Sequence, residues 1–408
     1  MSSENDLPAS VRHYRTAAGL SVRDLAGDVH VSPGWLSNVE HNRRTIDDYA
    51  LVADLDDTLH AGGALLDAWR HDQERRAAEQ QKRTLLDETA SLSDELLALP
   101  DTADVDELHA GAADLAVQYL HTPPGPMLNA TSSVYRELVH RLRNGAHQQK
   151  HARELQVALG RAAGVMSYAA LDLGNPQHAD RHAQAVFRMG ALSGNHELQA
   201  WARGTQSLIA RFGKDYHRAF SLVTDGMKYA DHTAGTSGVR LLSGAAQCMA
   251  NLGHPQAAVD YLDQAEQARA THRPSDEVRG LFTFSEAKGR YYGGSSLMWI
   301  PDKNVLGRAV TDATDAIDLW HDEPAESRPV DDEMLAHVYA ATAHTRLGDL
   351  DAAMHMVRPV LGLPAEQRIS WITKRVGELA QHMQSGRFAG SVTATRAVEE
   401  LQDFIDTP

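Results

Sequence analysis

The chain has 408 residues, 42% of them hydrophobic and 23% charged, which is ample for a well-buried core and excludes a disordered polymer. Cys248 is the only cysteine, so neither an internal disulfide nor a cysteine-based zinc site can form, and a reducing cytoplasmic setting is predicted. A formal net charge of −16 opposes a polyanion contacted over the whole surface, so any nucleic-acid contact must be local. Aromatic residues make up only 6%, and β-branched residues seldom run together, which predicts an all-α chain of packed helices. No stretch approaches the ~20 consecutive apolar residues of a membrane span, and the first residues lack the apolar core of a signal peptide. Seven of the 39 basic residues are lysine and the rest arginine, a skew similar to that of high-GC bacteria.

From Leu7 to Ala18 the apolar residues Val11, Tyr14 and Ala18 recur at helical spacing, and Gly19 supplies a left-handed stop. Ser21 offers an N-cap to a second short helix whose buried stripe is Leu25, Ala26 and Val29. The break falls at His30, a residue that visits positive φ more readily than most. Ser32 caps a third helix that has Pro33 at its first position, where the missing N–H costs nothing, and Leu36 and Val39 on its apolar face.

Gly19-Leu20-Ser21, Asp24-Leu25-Ala26, Val31-Ser32 and Leu36-Ser37-Asn38-Val39-Glu40 together resemble the helix-turn-helix of phage-repressor-type (XRE) regulators. The resemblance covers roughly the first 70 residues. It implies that Ala26 is the small residue at the helix crossing and that Pro33 to His41 form the recognition helix. Double-stranded DNA would be met by Ser32, Pro33, Gly34, Ser37, Asn38 and His41, with Arg23, Arg43 and Arg44 on phosphates. Two positions depart from the pattern: His30 stands where glycine is usual in the turn, and Val22 where many members place a phosphate-binding glutamine. Five arginines (Arg12, Arg15, Arg23, Arg43, Arg44) face three acids (Asp24, Asp28, Glu40) between Pro8 and Thr45. A basic head on an acidic body suits a protein of which only the head approaches DNA. Glu40 is expected to pair with Arg12 or Arg15, and Trp35 to pack in the core.

Tyr49 to Trp69 continues the head, with Leu51, Leu55, Leu59, Leu65, Leu66 and Trp69 covering its base. Arg70 to Arg83 has no apolar stripe and reads as a solvated helical connector or a dimer-facing helix. The predicted organisation is residues 1–69 as the DNA-binding head, 70–104 as a connector and 105–408 as a repeat array.

Within the array, Gly174, Gly213, Gly253, Gly293, Gly348 and Gly386 are spaced by 39, 40, 40, 55 and 38 residues. A period of about 40, read as helix, glycine turn and alanine-rich helix, predicts an α-solenoid. Leu252-Gly253-His254-Pro255-Gln256-Ala257-Ala258 and Leu347-Gly348-Asp349-Leu350-Asp351-Ala352-Ala353 resemble the mid-repeat turn of tetratricopeptide repeats. At the small-residue position after the turn stand Ala179, Ala258 and Ala353, whereas Arg218 and Ser391 mark degenerate copies. The 55-residue gap predicts an insertion at 294–307, whose apolar Leu297, Met298, Trp299 and Ile300 read as a packed loop, a lid or a partner contact.

Taking each glycine as the end of a first helix, the inner face of the array is predicted to carry Arg161, Tyr168, Arg203, Ser207, Arg240, Ser243, Gln247, Asn251, Arg290, Tyr339, Thr342 and Arg346. The asparagine of the carboxylate-clamp form of the repeat is missing, with Val165, Gly204, Gly244 and Tyr339 in its place. Recurrent arginine in an acidic body suits a carboxylate-bearing or anionic ligand; the same arginines could instead pair with acids of the next repeat. His147/His151 and His178/His182 have i, i+4 spacing but no metal-site glutamate between them, and read as surface residues. No P-loop, dinucleotide fingerprint or nucleophile elbow occurs, so no catalytic residue, metal or cofactor is predicted, and Cys248 reads as a buried thiol.

A head of this kind joined to such an array resembles bacterial regulators that sense signalling peptides. The resemblance implies a cytoplasmic, homodimeric, non-enzymatic transcription regulator whose array takes a peptide, a small anionic ligand or a partner protein. A repeat-based interaction scaffold with a vestigial head is the alternative.

Overall fold

A computed structural model describes residues 7–97, 108–144, 149–272, 275–324, 328–385, 388 and 390–406. Every regular element among them is helical, and the chain divides into two compact units between Thr84 and Leu85.

The first unit holds α1 (Leu7–Ala17), α2 (Val22–Asp28), α3 (Pro33–Glu40), α4 (Tyr49–Thr58) and the start of α5 (Ala64–Leu97). Its helix ends are set by side chains. Ser21 Oγ accepts the Asp24 N–H at 3.2 Å while Asp24 Oδ2 accepts the Ser21 N–H at 3.2 Å, a reciprocal capping box. Ser32 Oγ accepts the Trp35 N–H at 3.1 Å, and Asp48 Oδ1 that of Ala50 at 2.9 Å. His30 adopts φ +56°, so the turn between α2 and α3 keeps its left-handed residue without glycine. Leu7, Val11, Leu25, Ala26, Leu36, Val39, Val52, Leu55 and Leu65 fill the core. Each fully buried leucine or valine there contributes ~1.5–3 kcal/mol. Asp56, buried, accepts the N–H groups of Gly63 at 2.7 Å and Leu65 at 2.9 Å and so starts α5. The Arg70–Arg83 stretch lies within α5 and carries local ion pairs of Arg70 with Asp67 and of Arg75 and Arg76 with Asp72.

In the second unit, α6 (Leu108–Gln118) and α7 (Pro124–Asn144) precede six helical hairpins. These are α8 (Gln149–Asp172) with α9 (Pro176–Ser193), α10 (His196–Phe212) with α11 (Tyr216–Ala230), and α12 (Ser237–Asn251) with α13 (Pro255–His272). They continue with α14 (Glu286–Leu297) and α15 (Lys303–His321), α16 (Val330–Leu347) and α17 (Leu350–Leu361), and α18 (Ser370–Gln384) and α19 (Val392–Asp406). First helices of successive hairpins pack side by side, giving an α-solenoid. The last of them returns to the beginning: Ser370 Oγ donates to the Leu171 carbonyl at 2.8 Å, and the Trp371 ring lies 4.8 Å from that of Phe212. Lys214 Nζ pairs with Glu378 at 2.8 Å. The inner layer therefore closes on itself.

The hairpin turns follow one rule. A left-handed residue, Gly174, Lys214, Gly253 or Gly348, is followed five positions later by an alanine of 0% exposure, Ala179, Ala219, Ala258 or Ala353. Arg218 is thus not the crossing residue of a degenerate copy; counting from Lys214, which takes φ +60°, puts Ala219 there and leaves Arg218 exposed. Gly293 ends no helix. It lies inside α14, where a Cβ would meet Asp312 Oδ2 at 2.4 Å, so its role is close helix packing. The expected insertion at 294–307 is likewise replaced by the last turn of α14, a short corner and the start of α15, with Leu297, Met298 and Ile300 buried. Gly386 lies outside the described residues.

His178 and His182 are not a surface pair. His182 is fully buried, its Nε2 lies 3.2 Å from Thr89 Oγ1 and its Nδ1 bonds Ser93 Oγ, which ties α9 to the second half of α5. Burial first, then the His178 and Arg181 charges, lower its pKa to about 3. His147 lies outside the described residues, as does the His151 side chain.

Asp312 beneath Gly293 is also buried, 3.3 Å from Arg290 and 3.6 Å from Arg308, and burial outweighs both cations to raise its pKa to about 6. The folded chain then binds this proton more tightly than the unfolded chain, so Asp312 makes stability fall as pH rises from about 4 to 6. Asp312→Asn is expected to remove that slope, worth roughly 2–3 kcal/mol between pH 4 and pH 7. Urea melts of both proteins at stepped pH give the difference; parallel curves would contradict it.

Candidate functional site

Across α3 the burial splits cleanly. Leu36, Val39 and Glu40 face inward, whereas Ser32, Pro33, Gly34, Asn38 and His41 are exposed and Ser37 is half-buried. Glu40 is held by Arg15 through two bonds, Nε to Oε1 at 2.5 Å and Nη2 to Oε2 at 2.8 Å, and Arg15 also donates to the Leu20 carbonyl at 2.8 Å. This fork–fork pair locks α3 onto α1 and raises the Arg15 pKa, the Glu40 hydrogen bond being the largest cause. Of the two partners predicted for Glu40, the structure selects Arg15.

The exit from α3 is equally well defined. The Asn38 carbonyl accepts the N–H groups of Arg43 at 2.8 Å and Arg44 at 3.2 Å, with Asn42 between at φ +53°. Both arginines are thereby turned out beside the helix, and the Arg44 guanidinium lies 5.9 Å from the Trp35 ring. Trp35 otherwise packs against the core, as does Val22. Arg12, Arg23, Arg43 and Arg44 are exposed, and among the described residues none has a carboxylate within 4.0 Å. The unit is a helix-turn-helix domain. Residues 7–69 match the profile of a family described as a helix-turn-helix domain. Comparison with curated proteins returns no match. The helix-turn-helix domain points to a DNA-binding regulator. Asn42, beside the named residues, was not singled out from sequence; the left-handed turn that exposes it has no signature there beyond the residue type itself.

The inner-face residues of the array are mostly buried. Arg161 pairs with Glu277 of the loop after α13 at 2.9 Å, Arg203 with Asp225 at 2.7 Å, and Arg290 with Glu266 at 3.2 Å and Asp312 at 3.3 Å, so these three serve ion pairs between elements of the array. Arg346 donates to the Met298 carbonyl at 2.5 Å. Gln247 accepts from Arg211 and donates to Ser295 at 2.9 Å, and Asn251 donates to the Gln247 carbonyl at 2.8 Å. Ser207, Ser243 and Thr342 are buried, and Tyr339 bonds Tyr291 and Trp371 through its hydroxyl. Tyr168 accepts from Arg240 at 2.8 Å. Sequence reasoning missed Arg211, one helical turn from Ser207, as well as Lys288 on α14 and Arg375 on α18, a helix on which it named no inner-face residue. Cys248 is fully buried, and burial raises its pKa. Among the described residues no group of three or more His, Cys, Asp or Glu is placed to hold a metal ion, and no helix is long and apolar enough to cross a membrane.

Proposed function

We propose that the chain is a sequence-specific transcription regulator whose head, as a dimer, reads an operator and whose tetratricopeptide-like array senses a signalling ligand. One observation carries the DNA reading: the arginines around α3 are uncommitted while Arg161, Arg203 and Arg290 of the array are spent on acids. Free guanidinium groups at a polar helix face are what phosphate contacts require, and this reading assigns Ser37, Asn38 and His41 to base edges. A single small module gives weak affinity, so two inverted half-sites on a dimer are expected.

Pull-down of fragmented genomic DNA by the full chain tests this reading. Enrichment of a shared motif with two inverted halves is the expected result. Uniform recovery at all salt concentrations, or none, would leave the scaffold reading, which the apolar Val22 at the phosphate position favours.

Replacing Arg43 and Arg44 together by alanine is expected to weaken binding to every sequence alike and to lower the slope of log affinity against log salt by about 2 per bound head, and so by about 4 for the dimer. Fluorescence anisotropy over a salt series reads this out. A loss restricted to the cognate site would assign both arginines to bases instead.

A further inference from the structure

Two guanidinium groups in the core of the array have no acid to neutralise them. Arg240, 6% exposed, donates to the Trp201 carbonyl at 3.0 Å, to Tyr168 Oη at 2.8 Å and to Thr205 Oγ1 at 3.0 Å. Gly204 makes room for it, since a Cβ there would stand 3.2 Å from the guanidinium carbon. Arg211, 4% exposed, reaches the Gln247 side chain, the Ser207 carbonyl and Tyr292 Oη. All these partners are neutral groups, and among the described residues neither arginine has a carboxylate within 4.0 Å. Burying an uncompensated cation is costly, and proteins ordinarily pair such a charge.

Arg240 faces a small, partly open chamber of about 50 Å³ whose walls include Tyr168, Trp201, Tyr292, Ser237 and Lys288. Ser237 is 1% exposed and its Oγ has no hydrogen-bond partner, an orphaned hydroxyl on the chamber wall. Asp332 also lines the chamber but is taken by Lys288 at 3.4 Å. Two further acids at the same end of the array, Asp172 and Asp331, are biased by burial toward their neutral forms. Burial first, and then Asp331, raises the Asp172 pKa, and burial with Asp332 raises that of Asp331 to about 7. At Tyr292 burial pushes the pKa up, but the Arg211 and Arg240 charges outweigh it and the net shift is downward, whereas at Tyr168 burial outweighs Arg240 and the shift is upward.

We propose that the chamber is a binding site for a small oxyanion or carboxylate group, held by the Arg240 guanidinium and the Ser237 hydroxyl, with Lys288 and Tyr292 beside it. This rests on the sensor reading above and narrows it to a ligand class. Since about 10–15 Å³ of such cavity space suffices for one water, the roughly 50 Å³ of the chamber admits a group of about three to five heavy atoms, the size of acetate or inorganic phosphate. A guanidinium fork matches the planar carboxylate and the phosphate edge alike.

The test uses the full chain with sodium phosphate, sodium acetate and, as control, sodium chloride at matched ionic strength and pH. Phosphate or acetate is expected to raise Tm saturably, by ~3 °C or more well above its dissociation constant, whereas chloride at the same ionic strength does not. Saturation by phosphate alone assigns an oxyanion, and saturation by acetate a carboxylate. Arg240→Gln is expected to abolish the shift. Should that variant fail to fold, Ser237→Ala carries the test, because it removes a hydroxyl that bonds nothing in the ligand-free chain. It should leave the anion-free Tm unchanged and weaken anion binding several-fold. Absence of a saturable shift in the wild-type chain, an equal shift in Ser237→Ala, or tyrosinate absorbance near neutral pH without anion binding would overturn the proposal. Operator affinity measured on the same samples separates the two readings: anion binding that leaves it unchanged retains the site and removes its link to DNA, and intact DNA binding without anion binding removes the site alone.

Discussion

Asn38→Ala is expected to cut discrimination between the operator and scrambled DNA by about 10- to 100-fold, and Ser37→Ala together with it to cut it further. The magnitude follows from the ~1–3 kcal/mol that a well-placed amide contributes against a wrong base in the major groove. Three features of the head make the change specific. The Asn38 side chain is exposed, so its loss removes no core contact. The bonds that shape the exit of α3 use the Asn38 carbonyl and survive truncation of the side chain. The Arg15–Glu40 pair that seats α3 lies on the opposite face. Non-specific affinity and its salt dependence should therefore stay near the wild-type values while the specific complex weakens. Anisotropy titrations against both duplexes, with a thermal melt of each variant, check this; unchanged discrimination would show that α3 does not read bases.

Gly280→Ala is expected to destabilise the array by ~3 kcal/mol or more. Gly280 has φ +73° and opens the 3-10 turn Gly280–Phe282. A left-handed conformation alone costs an alanine ~1–2 kcal/mol. Its Cβ would also stand 2.2 Å from the Ala116 carbonyl oxygen and 2.8 Å from Val117 Cα, backbone atoms of α6 that cannot swing aside as a side chain would. The turn must move, and with it Leu281 and Phe282, both buried, the latter with its ring 4.5 Å from that of Trp201. Since Trp201 and Phe282 both line the Arg240 chamber, the substitution should weaken anion binding as well as lower the urea midpoint. A variant with wild-type stability would mean that the turn relaxes without disturbing its neighbours, and the chamber wall would then be softer than its packing indicates.

Much of the head was legible from residues alone because its signals are local. Ser21 with Asp24, Ser32 with Pro33, and Gly19 act on backbone groups within four positions of themselves, so their spacing already defines where α2 and α3 begin and α1 ends. His30 in the turn was legible on the same grounds, since positive φ is a property of a single residue. The all-α class and the hairpin repeat were legible because a glycine turn followed by a buried alanine is a short-range pattern.

Only the tertiary structure decided which glycines are turns and which arginines are spent. Gly293 reads like its neighbours in the periodic series, yet it is a packing glycine, because whether a missing side chain serves a turn or a close helix crossing depends on what lies opposite, here Asp312. Lys214 hid the turn that it makes, since lysine carries no left-handed signature. His182 sits on a polar stretch and is nonetheless buried, because α5 supplies Thr89 and Ser93 from about ninety residues away. Among the inner-face arginines, Arg161, Arg203 and Arg290 find acids across helix boundaries while Arg240 and Arg211 do not. Pairing of charges in a solenoid is set by which helix faces meet, and that is a long-range fact: Glu277, Asp225 and Glu266 reach their arginines from other helices and loops, and the closure of α18 onto α8 seals the layer in which the two unpaired guanidinium groups lie.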